Sequence, residues 1–392
     1  MVVALGSPQP VFTVPPLDTI PDGSDDKPQP GRNLEVVGPL KVSSLVFGAA
    51  AWSHFYNNDA YLASDVPLRT IRLALRYGIR TFDTSPYYGA SEIVLGTALK
   101  ALELEFPRSS YQLMTKCGRY GSSDFDYSPS TIRKSVERSL SRLHTTYLDT
   151  VYLHDVEFVA TSVMPRKEGN HIGALSDESE VYGLKEGQEG TICGEGDQKI
   201  LDGIAELRKM KEEGLIKNIG ITGFPLPALL RLAILVANTA PYRPLDVILS
   251  YCHLTLQNST LLAFLPSFLQ RARVSQVLTA SPLSMGLLTP TIPAWHPAPP
   301  KVKEAAIVVV SKCQELVDSG KGGLPNVAIG WAVEKAEEEK IATVVGLSNL
   351  REVHQAVGAW REVKEGGKQY ERFAAQAIQA FEEAGVKDWS WS

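Results

Sequence analysis

Several protein classes are ruled out by what this 392-residue sequence lacks. It has four cysteines, Cys117, Cys193, Cys252 and Cys313, widely spaced and without a Cys-x-x-Cys pair. That pattern argues against a disulfide scaffold or a zinc site and reads as free thiols in a reducing compartment, with Cys117 a candidate for burial beside a site. No metal is expected. No apolar run approaches the roughly 20 residues of a membrane span, and the N-terminus lacks the basic-then-apolar pattern of a secretory leader. The expected location is therefore cytoplasmic, with no membrane partner. A formal net charge of -5 and no positive stripe give no electrostatic reason to expect nucleic acid. A G-x-G-x-x-G run after the first strand-like segment is also missing. Oligomeric state is not legible.

What is present is alternation. Residues 1–34, rich in Pro, Asp and Gly, have little to bury and are expected to form a flexible or loosely docked arm. Residues 35–392 then read as one domain of strands and helices in turn. Strand patterns fall at 43–50, 78–83, 111–116, 148–154, 216–222, 246–252, 275–281 and 341–346, with helical periods between them, such as VPLRTIRLALRYG (66–78) and SEIVLGTALKALE (91–103). In SPSTIRKSVERSLSRL (128–143), Ser128 is placed as a cap ahead of Pro129. Strands that alternate with helices suggest a parallel sheet, and eight of them argue for a closed (β/α)₈ TIM barrel, although an open doubly wound sheet shares the local pattern. The missing glycine loop favours the barrel. A long acidic, Gly-rich insertion at 159–196 interrupts the rhythm after the fourth strand and is expected to be functional or mobile. A last amphipathic helix lies near 369–384.

In such a barrel the active site sits at the C-terminal rim of the strands. Asp83 is placed at the end of the second strand, Lys116 of the third and His154 of the fourth, with Tyr88 in the loop after the second. A phenol with a pKa of about 10 is a weak base at neutral pH. A nearby ammonium favours the phenolate, and a carboxylate keeps that ammonium charged and fixed. Tyr88 is thus assigned as general acid/base, Lys116 as its tuner, Asp83 as the holder of Lys116, and His154 as a hydrogen-bond partner of the reacting oxygen. Taken singly, each has a structural alternative: Asp83 in an Asx turn, Lys116 snorkelling, His154 satisfied in the core, Tyr88 in packing. Their coincidence at one rim favours chemistry.

The stretch FDTSPYYGASEIVLGTAL (82–99), with Tyr88 five positions after Asp83 and a Ser-Glu pair before a Leu-Gly helix, resembles the signature of the aldo-keto reductase superfamily. Lys116 and His154 stand where that family has its lysine and histidine. The resemblance spans about residues 40–365 and implies NAD(P)-dependent hydride transfer at a carbonyl or its alcohol. YLHDVEF (152–158), SYCHLTLQNSTLL (250–262) and ASPLSMGLLT (280–289) are similar to the family's aldose 1-dehydrogenases, which oxidise C1 of sugars of the D-arabinose or L-galactose type to the lactone. The alternative is a general NADPH-dependent aldehyde or ketone reductase.

The resemblance also implies a cofactor set made of Thr222, Ser250, Ser281, Leu283, Met285, Gly286, Gly346, Ser348, Asn349 and Glu352. NADPH-dependent relatives place a lysine and an arginine where this chain has Gly346 and Glu352; a carboxylate there repels a 2′-phosphate, so NAD is favoured over NADP. Asn349 and Glu352 read equally as a helix cap and its partner. Other departures are Ala280 in place of a ring-stacking aromatic, Thr222-Gly223 in place of Ser-Asn, and Leu249 or Ser250 in place of a glutamine. For a small-molecule aldose, Trp52, His54 and Tyr56 are the candidate contacts, since aromatic faces suit sugar C–H faces and imidazoles pair with hydroxyls. Trp52 reads equally as core. Trp295 and His296 lie on a Pro-rich loop and are open to a lid or a packing role.

Overall fold

The computed structural model describes residues 5–6, 11–318, 323–368 and 370–391. Eight strands close into one barrel: β1 (Leu45–Gly48), β2 (Thr81–Asp83), β3 (Gln112–Cys117), β4 (Leu148–His154), β5 (Ile216–Gly223), β6 (Val247–Tyr251), β7 (Gln276–Ala280) and β8 (Ala342–Gly346). They pair in the order β7-β8-β1-β2-β3-β4-β5-β6 and close on themselves. Every pairing from β1 to β5, and that of β6 with β7, is parallel. The barrel reading therefore holds and the open sheet is excluded. Closure leaves no edge strand, and burial on both faces explains why β4 is covered at every residue from Leu148 to His154.

The described residues group into two compact units, one drawn from Met1–Thr161, Ile192–Thr222 and Val344–Val357, the other from Ser162–Thr191, Gly223–Thr343 and Gly358–Ser392. In the first, α1 (Val66–Tyr77) buries Leu68, Ile71 and Leu75 on one face and stops at Gly78, whose φ of 92° needs no Cβ. It is followed by α2 (Ser91–Ala101), then α3 (Pro129–Arg142), which begins on a proline. Ser128 occupies the N-cap position, but its side chain does not cap. Asp126 braces the turn into the helix, accepting from Ser128 N at 2.8 Å and Thr131 Oγ1 at 2.7 Å. Helix α4 (Glu195–Glu212) follows the insertion.

The N-terminal arm, expected to be flexible or loosely docked, lies against α1. Asp26 is buried and takes two bonds from Arg69, at 2.7 and 3.0 Å. Gln29 N donates to Tyr77 Oη at 2.9 Å, and Ile20 is covered. The insertion is closed at its base by one carboxylate: Asp197 accepts from Thr161 N at 3.1 Å and from Cys193 N at 2.9 Å.

Within the second unit, residues 162–191 carry a short strand, Glu168–Gly169, paired antiparallel with Ser390–Trp391. A cluster of Phe224, Leu287, Leu288, Val302, Val309, Leu324, Val327, Phe373 and Phe381 forms its core. The helix expected near 369–384 spans Glu371–Glu383 and supplies both phenylalanines of its own stretch to that core.

The glycine of the Leu-Gly helix has a packing cause. A Cβ on Gly96 would lie 2.0 Å from the Arg142 carbonyl oxygen and 2.7 Å from Leu143 Cα, so α2 and α3 touch backbone to backbone there. Backbone cannot swing aside as a side-chain tip does. Gly96→Ala is expected to lower unfolding free energy by at least about 1–3 kcal/mol, read as a lower denaturation midpoint at unchanged slope.

Candidate active site

Strand register brings the predicted residues together. Asp83 pairs with Met114, Lys116 with Tyr152, and His154 with Thr222. Side chains repeat their face every second residue, so Met114 and Lys116 share a face, as do Tyr152 and His154. Each strand carries its ionisable residue two positions further up than its neighbour, and Asp83, Lys116 and His154 climb the inner wall in a staircase. Lys116 is the penultimate residue of β3, not its last as expected; Cys117 ends the strand.

Lys116 Nζ donates to Asp83 Oδ2 at 2.6 Å and to the Thr84 carbonyl at 3.0 Å. Both side chains are almost entirely buried. Tyr88 closes a 3₁₀ turn, Pro86–Tyr88, in which Ser85 Oγ accepts from Tyr87 N at 3.1 Å. Its ring centroid lies 4.7 Å from Lys116 Nζ. The His154 ring stands edge-on to it, 5.7 Å away at 89°, and Tyr127 Oη donates to the His154 carbonyl.

Electrostatics depart from the sequence reading in one respect. Lys116 does favour the Tyr88 phenolate, but desolvation is the larger effect, and Asp83 and Asp155 oppose ionisation, so the phenol is pushed up to about 12. The ring keeps part of its surface open; the low-dielectric surroundings of the hydroxyl outweigh that opening. Burial, then the charges of Lys116 and Arg119, holds His154 far below the usual imidazole range. It is neutral. Its Nδ1 is 3.0 Å from Ser85 Oγ, and its Nε2 is 3.6 Å from Asp155 Oδ2, a carboxylate that favours the proton on Nε2. Burial also raises Asp83, with Lys116 working against it, and Cys117 has its thiol raised by burial.

The Ser-Glu pair of the signature braces this bowl without lining it. Ser91 Oγ donates to the Ala49 carbonyl at 2.7 Å and meets Thr84 Oγ1 at 2.9 Å. Glu92 accepts from Thr115 Oγ1 at 2.7 Å and from Arg142 at 3.1 Å, fully buried.

The other candidates divide. Trp52 is fully buried, 5.2 Å from Phe47 between ring centroids, and points its indole N–H at the Ser348 carbonyl. It offers no open face for a sugar; the core alternative describes it. His54 Nε2 lies 2.5 Å from Asp59, and Tyr56 is exposed. Asn349 caps the start of the helix Leu350–Lys364: Glu352 N donates to Asn349 Oδ1 at 3.0 Å, while the Glu352 carboxylate accepts from Ser348 N at 2.5 Å and Asn349 Nδ2 at 2.9 Å. Gly346 is exposed at the end of β8, and Thr222 is buried near the end of β5.

In the second unit, Ser250 is buried, with Oγ 3.3 Å from His253 Nδ1. Ser281, Ser284, Met285 and Gly286 all adopt positive φ, between 50° and 96°. The turn is closed on itself: Ser284 N donates to the Ser281 carbonyl at 2.7 Å and Gly286 N to the Leu283 carbonyl at 3.1 Å. Leu283 and Met285 pack beside it on the core. His296 takes a packing role: Ala298 N donates to its Nδ1 at 3.1 Å, and its Nε2 donates to the Ser284 carbonyl at 2.8 Å, tying the Pro-rich loop to this turn.

Sequence reasoning missed Tyr87, Ser85, Tyr127 and Asp155, which touch Tyr88 or His154, and Arg119, which holds Tyr87 and Asp155. Asp155 follows His154 directly and Tyr87 precedes Tyr88, so adjacency was the available signal.

Removing one member of a buried ion pair strands the other. Lys116→Met is expected to cost about 3–5 kcal/mol of stability and to raise the Tyr88 phenol further, checked by denaturation and by phenolate absorbance.

Residues 44–375 match the model of the Aldo/keto reductase family. The chain is 35% identical over 368 residues to D-arabinose 1-dehydrogenase of Saccharomyces cerevisiae, covering 91% of this chain and 96% of that protein. To L-galactose dehydrogenase of Arabidopsis thaliana it is 37% identical over 355 residues, covering 90% and 94%. Among solved structures, an aldo-keto reductase from Bacillus halodurans superposes with a TM-score of 0.58 at 21% identity, over 91% of this chain and 96% of that one, which speaks to fold. Membership implies a nicotinamide cofactor, NAD or NADP, and a small-molecule substrate. No described helix is long and apolar enough to cross a membrane. Barrel, signature and relatives agree: this chain belongs to the aldo-keto reductase family and is an oxidoreductase of that type.

Proposed function

We propose that the protein oxidises C1 of an aldose, of the D-arabinose or L-galactose type, to the lactone, with Tyr88 as general base. The observation that carries this reading is the buried Lys116–Asp83 pair beneath Tyr88, with a neutral His154 edge-on to the same ring. Relatives 35–37% identical over about nine-tenths of the chain are named for sugar dehydrogenation, which supports this substrate class. A bound nicotinamide supplies the hydride acceptor. Tyr88 Oη takes the proton of the C1 hydroxyl as the C1–H bond gives up its electron pair. Lys116 offsets the phenolate's charge, and Asp83 keeps Lys116 charged. His154 donates from Nε2 to the C1 oxygen and orients it. In the reverse direction the protonated Tyr88, its ordinary state at neutral pH, delivers the proton.

The cofactor is proposed to be NAD, with its ribose end at the start of the helix Leu350–Lys364. The Glu352 carboxylate already occupies that helix start and repels a further phosphate, while its remaining lone pairs can accept from ribose hydroxyls.

Two outcomes check this reading. Mixed with NAD and D-arabinose or L-galactose, the protein should form reduced cofactor at a rate that climbs with pH, because only the phenolate accepts a proton and the phenol lies near 12. Tyr88→Phe should lose on the order of 10²–10⁴ in turnover while still binding cofactor. Reduction of simple aldehydes without sugar oxidation would instead support the reductase alternative. Separately, Glu352→Gln keeps the cap but removes the charge, and should shift preference toward NADP roughly tenfold.

A further inference from the structure

Arg119 lies two residues beyond β3 and reaches both sides of the Tyr88–His154 pair. Its guanidinium makes an ion pair with Asp155, the residue after His154. It donates to Tyr87 Oη at 3.2 Å and sits 4.0 Å over the Tyr87 ring, the residue before Tyr88. Phe125 and Phe158, stacked on each other at 5.1 Å, flank the same guanidinium at 5.1 and 5.3 Å. Arg119 Nε also donates to the Gly121 carbonyl at 3.3 Å. The guanidinium spreads its donors over Asp155, Tyr87 and the Gly121 carbonyl and is enclosed by aromatic faces, a setting that suits arginine and not lysine.

Asp155 is otherwise badly placed for proton chemistry. It is buried, holds a left-handed φ of 56°, and lies 3.6 Å from His154 Nε2. A carboxylate at that distance favours an imidazolium and opposes a phenolate beside it. The charged and titratable groups acting on Tyr88 are Lys116, Asp83 and Asp155; those acting on His154 are Lys116, Arg119 and Asp155; and Asp155 also acts on Tyr127, which bonds the His154 carbonyl.

We propose that Arg119 is a positioning residue: by pairing with Asp155 and clasping Tyr87, it offsets the carboxylate's charge at Tyr88 and His154 and fixes both rings for proton transfer. The proposal rests on the reading of Tyr88 and His154 as the proton-handling pair, and it requires no particular substrate.

Arg119→Gln, Asp155→Asn and the double variant test it, since asparagine tolerates the left-handed backbone. Tyr88 ionisation is followed by near-ultraviolet phenolate absorbance, as the difference from Tyr88→Phe in each background, beside the pH profile of turnover on whichever substrate is used. Arg119→Gln should move both upward by about one pH unit. Asp155→Asn should move both downward, and the double variant should return toward wild type. Arg119→Lys should keep the pH limb near wild type but lower kcat, because it retains charge without the fork. Unmoved titrations in both single variants, or additive losses in the double, would overturn the proposal. Failure to oxidise any sugar would count against the proposed function alone, since the phenol titration is read without turnover.

Discussion

One buried contact organises the candidate active site of this protein, the pairing of Lys116 with Asp83 at the inner rim of the barrel. Neither charge survives burial alone: an isolated ammonium or carboxylate at this depth costs several kcal/mol, and the pair is tolerable only because each satisfies the other. The Thr84 carbonyl accepts a further hydrogen bond from the lysine, and Thr84 in turn meets Ser91, which donates to the Ala49 carbonyl. A chain of hydrogen bonds thus runs from the ion pair through the first turn of α2 to the segment after β1. Around this fixed cation the aromatic rings of Tyr88 and His154 find their places.

Burial has opposite consequences for the neighbours. It holds His154 neutral, so it can act as a donor of fixed tautomer, and it lifts the Tyr88 phenol to about 12 despite the adjacent ammonium. A protonated tyrosine at rest suits delivery of a proton, and its use as a base draws on whatever positive charge approaches it. Asp155 adds a negative charge to the same neighbourhood, which makes its pairing with Arg119 part of the electrostatic balance and not an incidental surface contact.

Away from the tetrad, several residues suited to sugar or cofactor contact serve packing. Trp52 locks the approach to the helix Leu350–Lys364 through the Ser348 carbonyl, and His296 spends both ring nitrogens on backbone. Asn349 and Glu352 satisfy each other as a cap, which leaves the carboxylate's charge at the helix start. For these residues the bland and the functional readings differ only in what lies around the side chain.

Local pattern was enough to establish the alternation of strands and helices and the barrel it implies, and to single out the residues proposed as the tetrad. Hydrophobic period and turn residues are local properties, and strand-end positions map directly onto a rim. Asp83, Lys116 and His154 were legible because an ionisable residue at or beside the end of an apolar strand is conspicuous in one dimension. Tertiary structure alone decided which charge dominates at Tyr88, since desolvation depends on neighbours drawn from β2, β3 and β4 together. It alone brought Arg119 onto Tyr87 and Asp155, residues 32 and 36 positions away, and it alone removed Trp52 from any open surface. Sequence spacing carries no record of enclosure, and for an ionisable or aromatic side chain enclosure determines what it can do.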